Sequence, residues 1–464
     1  MVAICGTAMA PLAVMLKRLG HHVTGSDTSV YPPMSTVLEE QGIPVREGFD
    51  SENLNPKPDL VIIGNAVSRG NPEAEAVLSD KIRYMSQSAA LREFFLWDKR
   101  VIVVAGTHGK TTTTSLLAWL LDCAGLDPSF MIGGVPIGWE SGARLGRGKH
   151  FIIEGDEYDS AFFDKRAKFL NYLPDIAVIN NIEFDHADIY DSLDQIVLAF
   201  RRLINLIPSN GLLIAPSDDE TVSSLLPDAQ SPLETFGAAT EGDWRAGSIT
   251  VSPDGTSFDV FKRSELLGRL CFSSFGRHNV SNGLAAIAAA SSVGLSWAQI
   301  EQGFRSFPGV KRRMEIRGVV NDVTIYDDFA HHPTAVRATI DSLREAYPSR
   351  TVWAVFEPRT ATTIRRIFQT AYEEAFDGAD HIILAPVFNP GKAPADDRFS
   401  LEELSSGLVR RGKDTRIMPG VDAIVSYLTD HARPGDQILF MSNGGFGGIH
   451  EKTLESLKST SGPL

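Results

Sequence analysis

Cysteine is scarce. Cys5, Cys123 and Cys271 are the only three in 464 residues. An odd number, so far apart, gives neither a disulfide framework nor the paired spacing of a zinc site, and it suits a reducing compartment. Long apolar runs are missing too: none reaches the roughly 18 residues a membrane-crossing helix needs. Met1 to Leu16 is almost wholly apolar but lacks a basic leader, and Gly6 and Pro11 fit a buried strand-turn-helix better than a signal peptide. Positive charge is in deficit, with a formal net charge of −14. That argues against general binding of nucleic acid or anionic membrane, though local basic residues can still hold a small anion. Low-complexity tracts and short repeats are absent. With 43% hydrophobic and 22% charged residues, a cytoplasmic globular protein of about three domains is expected.

Against this background one stretch organises the chain. Val101 to Val104 is a β-branched run that reads as a buried parallel strand. Gly106-Thr107-His108-Gly109-Lys110-Thr111-Thr112 follows, and then an apolar helical pattern at Leu116, Leu117, Leu120 and Leu121. Strand, glycine turn, Lys-Thr and helix is the phosphate-binding order. Backbone N–H groups close on phosphate oxygens, Lys110 reaches the β/γ-phosphates, and the Thr111 hydroxyl can ligate Mg²⁺. The loop is not the standard eight-residue motif, which would put glycine where this chain has Val104. ATP with Mg²⁺ is the expected cofactor pair. No guanine signature of the Asn-Lys-x-Asp type is present.

Before this stretch, a strand (Val2 to Cys5), a turn at Gly6-Thr7-Ala8 and a helix to about Leu19 are expected, then a strand from His22 to Ser26 ending at Asp27. An acid about twenty residues past a glycine turn is the dinucleotide-fold pattern. Ala10 and Pro11 replace its later glycines, so an NAD site is poorly supported. Asp59 to Gly64 is a further strand with Asn65 at its carboxyl end, and Tyr84 to Asp98 is expected to be helix and linker.

After the phosphate loop, His150 to Ile153 leads into Glu154-Gly-Asp156-Glu157-Tyr158-Asp159. Carboxylates at a strand end beside a phosphate loop are what Mg²⁺ requires. Ile176 to Asn180 runs into Asn181-Ile-Glu183-Phe-Asp185-His186. Strands are expected at 212–215, around 248–251 and at 258–261, with a loop at 240–244. Arg277-His278-Asn279 opens an alanine-rich helix, an anion-favouring place. Later strands (Val323 to Tyr326, Val352 to Phe356, His381 to Pro386, Gln437 to Met441) end at Asp327-Asp328-Phe-Ala-His331-His332, at Glu357-Pro-Arg359, near Lys392, and at Ser442-Asn443-Gly444-Gly445-Phe-Gly447-Gly448. Open parallel sheets place ligands at that edge. The four glycines leave room for a large acceptor.

In order, Gly106-Thr-His-Gly-Lys-Thr-Thr-Thr, Glu154-Gly-Asp-Glu, Asn181-Ile-Glu-Phe-Asp-His186, Gly276-Arg-His-Asn279 and Asp327-Asp-Phe-Ala-His-His-Pro333 resemble the motif set of the Mur ligases, over nearly the whole chain. The resemblance implies an α/β, three-domain enzyme: a Rossmann-like UDP-sugar domain (1–98), a central P-loop ATPase domain (99–312) and a Rossmann-like acceptor domain (313–464). It is similar to the members that act on UDP-N-acetylmuramate, one adding L-alanine and the other the recycled tripeptide L-alanyl-γ-D-glutamyl-meso-diaminopimelate. Ile4-Cys-Gly-Thr, Val30-Tyr-Pro-Pro-Met-Ser-Thr36, Asp156-Glu-Tyr-Asp-Ser-Ala-Phe-Phe-Asp-Lys165 and Phe356-Glu-Pro-Arg359 resemble the tripeptide-adding branch. L-alanine is the alternative acceptor.

The resemblance also implies roles. ATP phosphorylates the muramate carboxylate, and the amine attacks the acyl phosphate. Glu154 joins Thr111 on one Mg²⁺ and His186 holds a second. Asn279 contacts adenine, Arg313 a phosphate and Asp328 the ribose. Arg359 takes an acceptor carboxylate, and Gly6, Thr7, Asp27, Asn65, His331 and Asn443 complete the substrate set. Some relatives carry a carbamylated lysine beyond the histidine matched by His186; Phe200-Arg201-Arg202 stands there, so that modification is not expected. The partners implied are small molecules, without nucleic acid or membrane insertion, on a monomer or weak homodimer. A folate-type glutamate ligase would lack the amino-terminal domain, and a non-catalytic relative would have lost Lys110, Glu154 or His186.

Overall fold

The computed structural model describes residues 1–238 and 241–459; Thr240, the first residue of the loop expected at 240–244, and residues 460–464 lie outside them. By packing, the chain forms two units. One comprises Met1–Phe184, Ser192–Arg245 and Gly283–Gly303; the other comprises Asp185–Asp191, Ala246–Asn282 and the residues from 304 onward.

In the first unit the β-branched run forms the strand Arg100–Ala105, buried from Val101 on. It pairs in parallel with Ile176–Ile179 on one side and His150–Gly155 on the other, so that Ala105 lies opposite both Ile179 and Gly155. Parallel strands covered on both faces need such continuous apolar sequence. The register matters for function. Gly106, Asp156 and Asn180 all leave the sheet at one edge. Leu212–Pro216 and Leu233–Gly237 extend the parallel order on one side, and Ser129–Met131 on the other. The strand Trp244–Ser252 begins at Trp244, where a loop was expected. Trp244 is buried and its indole N–H donates to Glu234 at 2.6 Å, which holds it in the sheet.

The amino-terminal residues make two short parallel pairs, Gly25–Asp27 with Val45–Glu47 and Val61–Ile63 with Tyr84–Ser86. Val2 bridges Ser26 and Ile63. The expected strand from Val2 to Cys5 is therefore cut to one residue: Ala3 takes a left-handed backbone (φ +61°), which ends the extended run. Tyr84 to Ser86, expected as helix, is a strand, because it completes the sheet beside Val61–Ile63. Val2, Val61, Ile63, Val67, Ala74 and Val77 form the core here, and Phe162 and Phe163, from the hairpin Asp159–Ala161/Asp164–Ala167, pack against it.

His150, at the start of its strand, is 1% exposed, and neither ring nitrogen has a hydrogen-bond partner among the described residues. Burial, then the charges of Lys149, Arg100 and Lys99, lower its pKa from 6.5 to about 4. Below pH 6.5 the unfolded chain binds a proton that the folded chain refuses, so stability falls as pH drops towards 4. His150→Leu should remove about 2 kcal/mol of the loss between about pH 7 and pH 4.5, read from urea midpoints. An unchanged acid sensitivity would count against this account.

The second unit holds a six-stranded sheet in the order 315–320, 323–328, 437–441, 352–356, 381–384, 414–417. The first pair is antiparallel and the others are parallel. Alternation along Val352–Phe356 splits its side chains between two cores. Val352, Ala354 and Phe356 meet helices Pro333–Ala346 and Leu401–Arg410 on one face. Trp353 and Val355 meet Val421–His431 and Ile449–Ser459 on the other. Asp328, Glu357 and Ser442 thereby reach the same sheet edge.

Candidate active site

The phosphate loop is built by its own backbone. Gly109 is left-handed (φ +79°) and caps the helix Lys110–Cys123. Gly106 (φ +137°) passes so close to the next strand end that a Cβ there would lie 3.1 Å from the Asn180 and Asn181 backbone nitrogens. Asn181 holds the loop from outside: its carbonyl accepts from Thr107 N at 3.1 Å and its carboxamide oxygen from His108 N at 2.8 Å. Glu183 N donates to the Thr107 hydroxyl at 2.9 Å, and His108 Nε2 lies 2.9 Å from Glu183 Oε2.

Lys110 is buried and donates to Gly106 O at 2.6 Å and to Glu157 Oε2 at 2.7 Å. Burial alone would lower its pKa; Glu157, Asp156 and Glu154 outweigh burial and raise it, so Lys110 is charged. Glu154 accepts from Thr111 Oγ1 at 2.9 Å and from Gly133 N at 2.7 Å. Burial, then Asp156, pushes its pKa up against these bonds and Lys110. A carboxylate so placed favours a cation beside it. Adjacent ligands of octahedral Mg²⁺, each about 2.1 Å from the metal, stand about 3 Å apart. The Thr111 and Glu154 oxygens have that spacing and that hardness, so they fit the ion.

In the same unit a cleft of about 900 Å³ gathers Gly6, Thr7, Asp27 and Asn65, the four residues expected for a nucleotide sugar. Asp27 is fixed there by Cys5 N and Ser29 N, each 2.9 Å from its carboxylate. The cleft is also lined by Tyr158, from the carboxylate motif, and by two residues that local motifs do not reveal, Gln87 and Lys168.

In the second unit, Asp328 accepts from Met314 N and Ala330 N, both at 2.7 Å. Burial raises its pKa, and Arg313 opposes this. Arg313 lies over the ring of Phe329, the residue after Asp328, 4.9 Å from its centre. Asn279 donates to Phe275 O at 2.8 Å and accepts from Asn282 at 3.0 Å at the start of helix Arg277–Ser292.

Arg359 lies 3.6 Å from the centre of the Phe388 ring and 3.5 Å from Glu357 Oε2. Glu357 also accepts from Ser442 Oγ at 2.6 Å. A Cβ on Gly444 would sit 2.2 Å from the guanidinium carbon, so any side chain there would displace Arg359 from this position. The Asn443 carboxamide oxygen is buried without a hydrogen-bond partner among the described residues. Arg312 donates to the carbonyls of Ser442 and Gly444 and so pins this turn.

His186 is left-handed (φ +53°) and follows Asp185, whose Oδ1 accepts its N–H at 2.7 Å. Thr362 donates to Asp185 at 2.9 Å, and His331 Nε2 is 3.9 Å from it. Burial would raise the Asp185 pKa; the neighbouring His331, then His186 and His332, outweigh it and hold it well below the usual range. None of the expected site residues falls outside the described structure.

Three family models match in chain order: Mur ligase family, catalytic domain over residues 1–96, Mur ligase middle domain over 104–290, and Mur ligase, glutamate ligase domain over 312–444. The chain is 44% identical over 458 residues to the UDP-N-acetylmuramate–L-alanyl-gamma-D-glutamyl-meso-2,6-diaminoheptandioate ligase of Escherichia coli, covering 98% of this chain and 97% of that one. It is 34% identical to the UDP-N-acetylmuramate–L-alanine ligase of Geotalea uraniireducens, with 98% and 97% covered. Among solved structures, the murein peptide ligase of Psychrobacter arcticus superposes with a TM-score of 0.74 at 38% identity, covering 100% of this chain and 99% of that one. Matched over almost its whole length and in the same domain order, the chain belongs to the Mur ligase family.

Proposed function

We propose that the two units divide the work of one ATP-dependent amide ligase. The chain joins UDP-N-acetylmuramate to the tripeptide L-alanyl-γ-D-glutamyl-meso-diaminopimelate. Oxide is too poor a leaving group for direct amidation of a carboxylate. Attack by the muramate carboxylate on the γ-phosphate of ATP makes an acyl phosphate and ADP. The tripeptide amine then attacks the acyl carbon, and phosphate leaves. Positioning and charge neutralisation carry the catalytic load.

Each residue set has its part. Gly106 to Thr112 cradle the triphosphate, with Lys110 on its outer phosphates. Thr111 and Glu154 would hold Mg²⁺, which would supply charge neutralisation for the phosphates. His186 is assigned a second Mg²⁺ on the family pattern, since imidazole is an uncommon ligand for that ion. Gly6, Thr7, Asp27 and Asn65 take the nucleotide sugar. Asn279, Arg313 and Asp328 serve the adenine, a phosphate and the ribose. Arg359, His331 and Asn443 face the acceptor. The division into domains at 98/99 and 312/313 follows the family pattern, with Arg313 and Asp328 of the third domain also serving ATP. No helix among the described residues is long and apolar enough to cross a membrane; a cytoplasmic monomer or weak homodimer fits the substrates and the cysteine usage.

The observation that carries the acceptor is whole-chain identity: 44% to the relative named for the tripeptide against 34% to the one named for L-alanine. The test is phosphate release with ATP, Mg²⁺ and UDP-N-acetylmuramate, supplying either amine. The tripeptide should be preferred in kcat/KM by at least about 100-fold. A preference for L-alanine would overturn the acceptor assignment.

A further inference from the structure

The nucleotide-sugar cleft contains a buried cation that no motif supplied. Lys168 is 6% exposed and lines the cleft with Tyr158 and Gln87. Its ammonium lies 3.3 Å from Asp156 Oδ2 and 4.2 Å from the centre of the Tyr158 ring. The backbone fixes this trio: Lys168 N donates to Tyr158 O at 3.0 Å and Phe169 N to Asp156 O at 3.3 Å. An ammonium has three donors, and Asp156 is the one hydrogen-bond acceptor that the Lys168 ammonium meets among the described residues. Buried lysines are nearly always charge-paired, and this one is fixed against Asp156 in the lining of the cleft.

The position of Asp156 says which part of the ligand that is. Asp156 lies in the strand-end loop whose other carboxylates, Glu154 and Glu157, hold Thr111 and Lys110. Its charge is felt by both Lys110 and Glu154. Lys168 therefore stands on the side of the cleft that leads to the phosphate loop. The cleft's other cation, Arg69, is 69% exposed and takes Glu75 with two hydrogen bonds, at 2.9 and 3.1 Å. UDP-N-acetylmuramate carries a diphosphate and a carboxylate. The diphosphate suits the turn Gly6-Thr7-Ala8 at the start of helix Met9–Arg18. The carboxylate is the group that must reach the γ-phosphate. We propose that Lys168 is a specificity-determining residue that binds the lactyl carboxylate of the sugar nucleotide, so that the cleft discriminates a carboxylate-bearing UDP-sugar from a neutral one. This rests on the UDP-sugar reading of the cleft.

Equilibrium binding to the full chain tests it, with UDP-N-acetylmuramate and UDP-N-acetylglucosamine, which lacks the lactyl group, measured without ATP. Lys168→Met should weaken the muramate nucleotide at least tenfold, the loss of one charge-assisted hydrogen bond, and leave the glucosamine nucleotide within about twofold; Lys168→Arg should retain most of the muramate affinity. Asp156→Asn, which frees the ammonium from its counter-ion, should tighten the muramate nucleotide about threefold and leave the other unchanged. Equal weakening of both nucleotides by Lys168→Met, or no weakening of either, would overturn the proposal. So would looser muramate binding in Asp156→Asn if Lys168→Met does not fold. If the unaltered chain binds neither nucleotide, the UDP-sugar reading itself falls, which the variants alone cannot produce.

Discussion

Lys110→Met is expected to abolish ADP formation, with a loss of at least about 10³-fold in kcat, the upper range for removing one preorganised charge donor. The argument rests on position. Lys110 opens its helix directly after a left-handed glycine, and its ammonium is held by Gly106 O and Glu157 at the edge where three parallel strands end. The same geometry predicts a second effect. Glu157 is 1% exposed, and without Lys110 it is a buried carboxylate that has lost its ion-pair partner. Breaking one side of a buried pair costs about 3–5 kcal/mol. A dead Lys110→Met enzyme could therefore be merely unstable. Lys110→Met/Glu157→Gln separates the two: it should recover most of the unfolding free energy while ADP formation stays absent. Stability is read from denaturant midpoints and chemistry from coupled ADP release. Near-normal turnover in the single variant would sink the phosphate-loop assignment; recovery of turnover in the double variant would show that Lys110 acts only through the fold.

The legibility of this site in the sequence follows a physical divide. Strands buried on both faces were readable because their composition is continuous and apolar: Val352–Phe356 begins and ends with its apolar run, and Gln437–Met441 ends with its own. Short strands were not, because pairing rather than composition makes them. Tyr84–Ser86 has no strand signature and exists because Val61–Ile63 offers it an edge. Val2 stops being a strand at Ala3, whose left-handed backbone no propensity foretells. Within the site, the phosphate loop and its carboxylates are local in sequence, so motif and geometry coincide. Contacts across long separations left no trace. Thr362 reaches Asp185 over 177 positions, and Lys168 enters a cleft begun by Gly6. Gly6 itself carries an opposite lesson. A Cβ there would meet nothing closer than 3.5 Å, so the turn it marks is not one that glycine alone can make. Gly444, one of four glycines read simply as space, is there because the Arg359 guanidinium occupies the room of a side chain.

Arg359→Lys should raise the tripeptide KM about 30-fold, equivalent to about 2 kcal/mol for a charge-assisted hydrogen bond, while the KM values for ATP and UDP-N-acetylmuramate stay within about twofold. A lysine would keep the charge but lose two things the structure uses. One is the flat face that stacks 3.6 Å from the centre of Phe388. The other is the fork that can meet a carboxylate with two parallel bonds. Glu357 sharpens the expectation. It is buried, lies 3.5 Å from Arg359 and accepts from Ser442 at 2.6 Å, so the guanidinium is aimed by a carboxylate that is itself aimed. Gly444→Ala offers an independent route to the same loss, because its Cβ would meet the guanidinium carbon at 2.2 Å and turn the side chain away without altering its charge. The two variants should therefore raise the same acceptor KM. A loss shared equally by all three substrates would mean that the turn supports the fold rather than the acceptor. A tripeptide KM unchanged in Arg359→Lys would mean that charge alone is read. An acceptor carboxylate held on a stacked and braced guanidinium requires neither result.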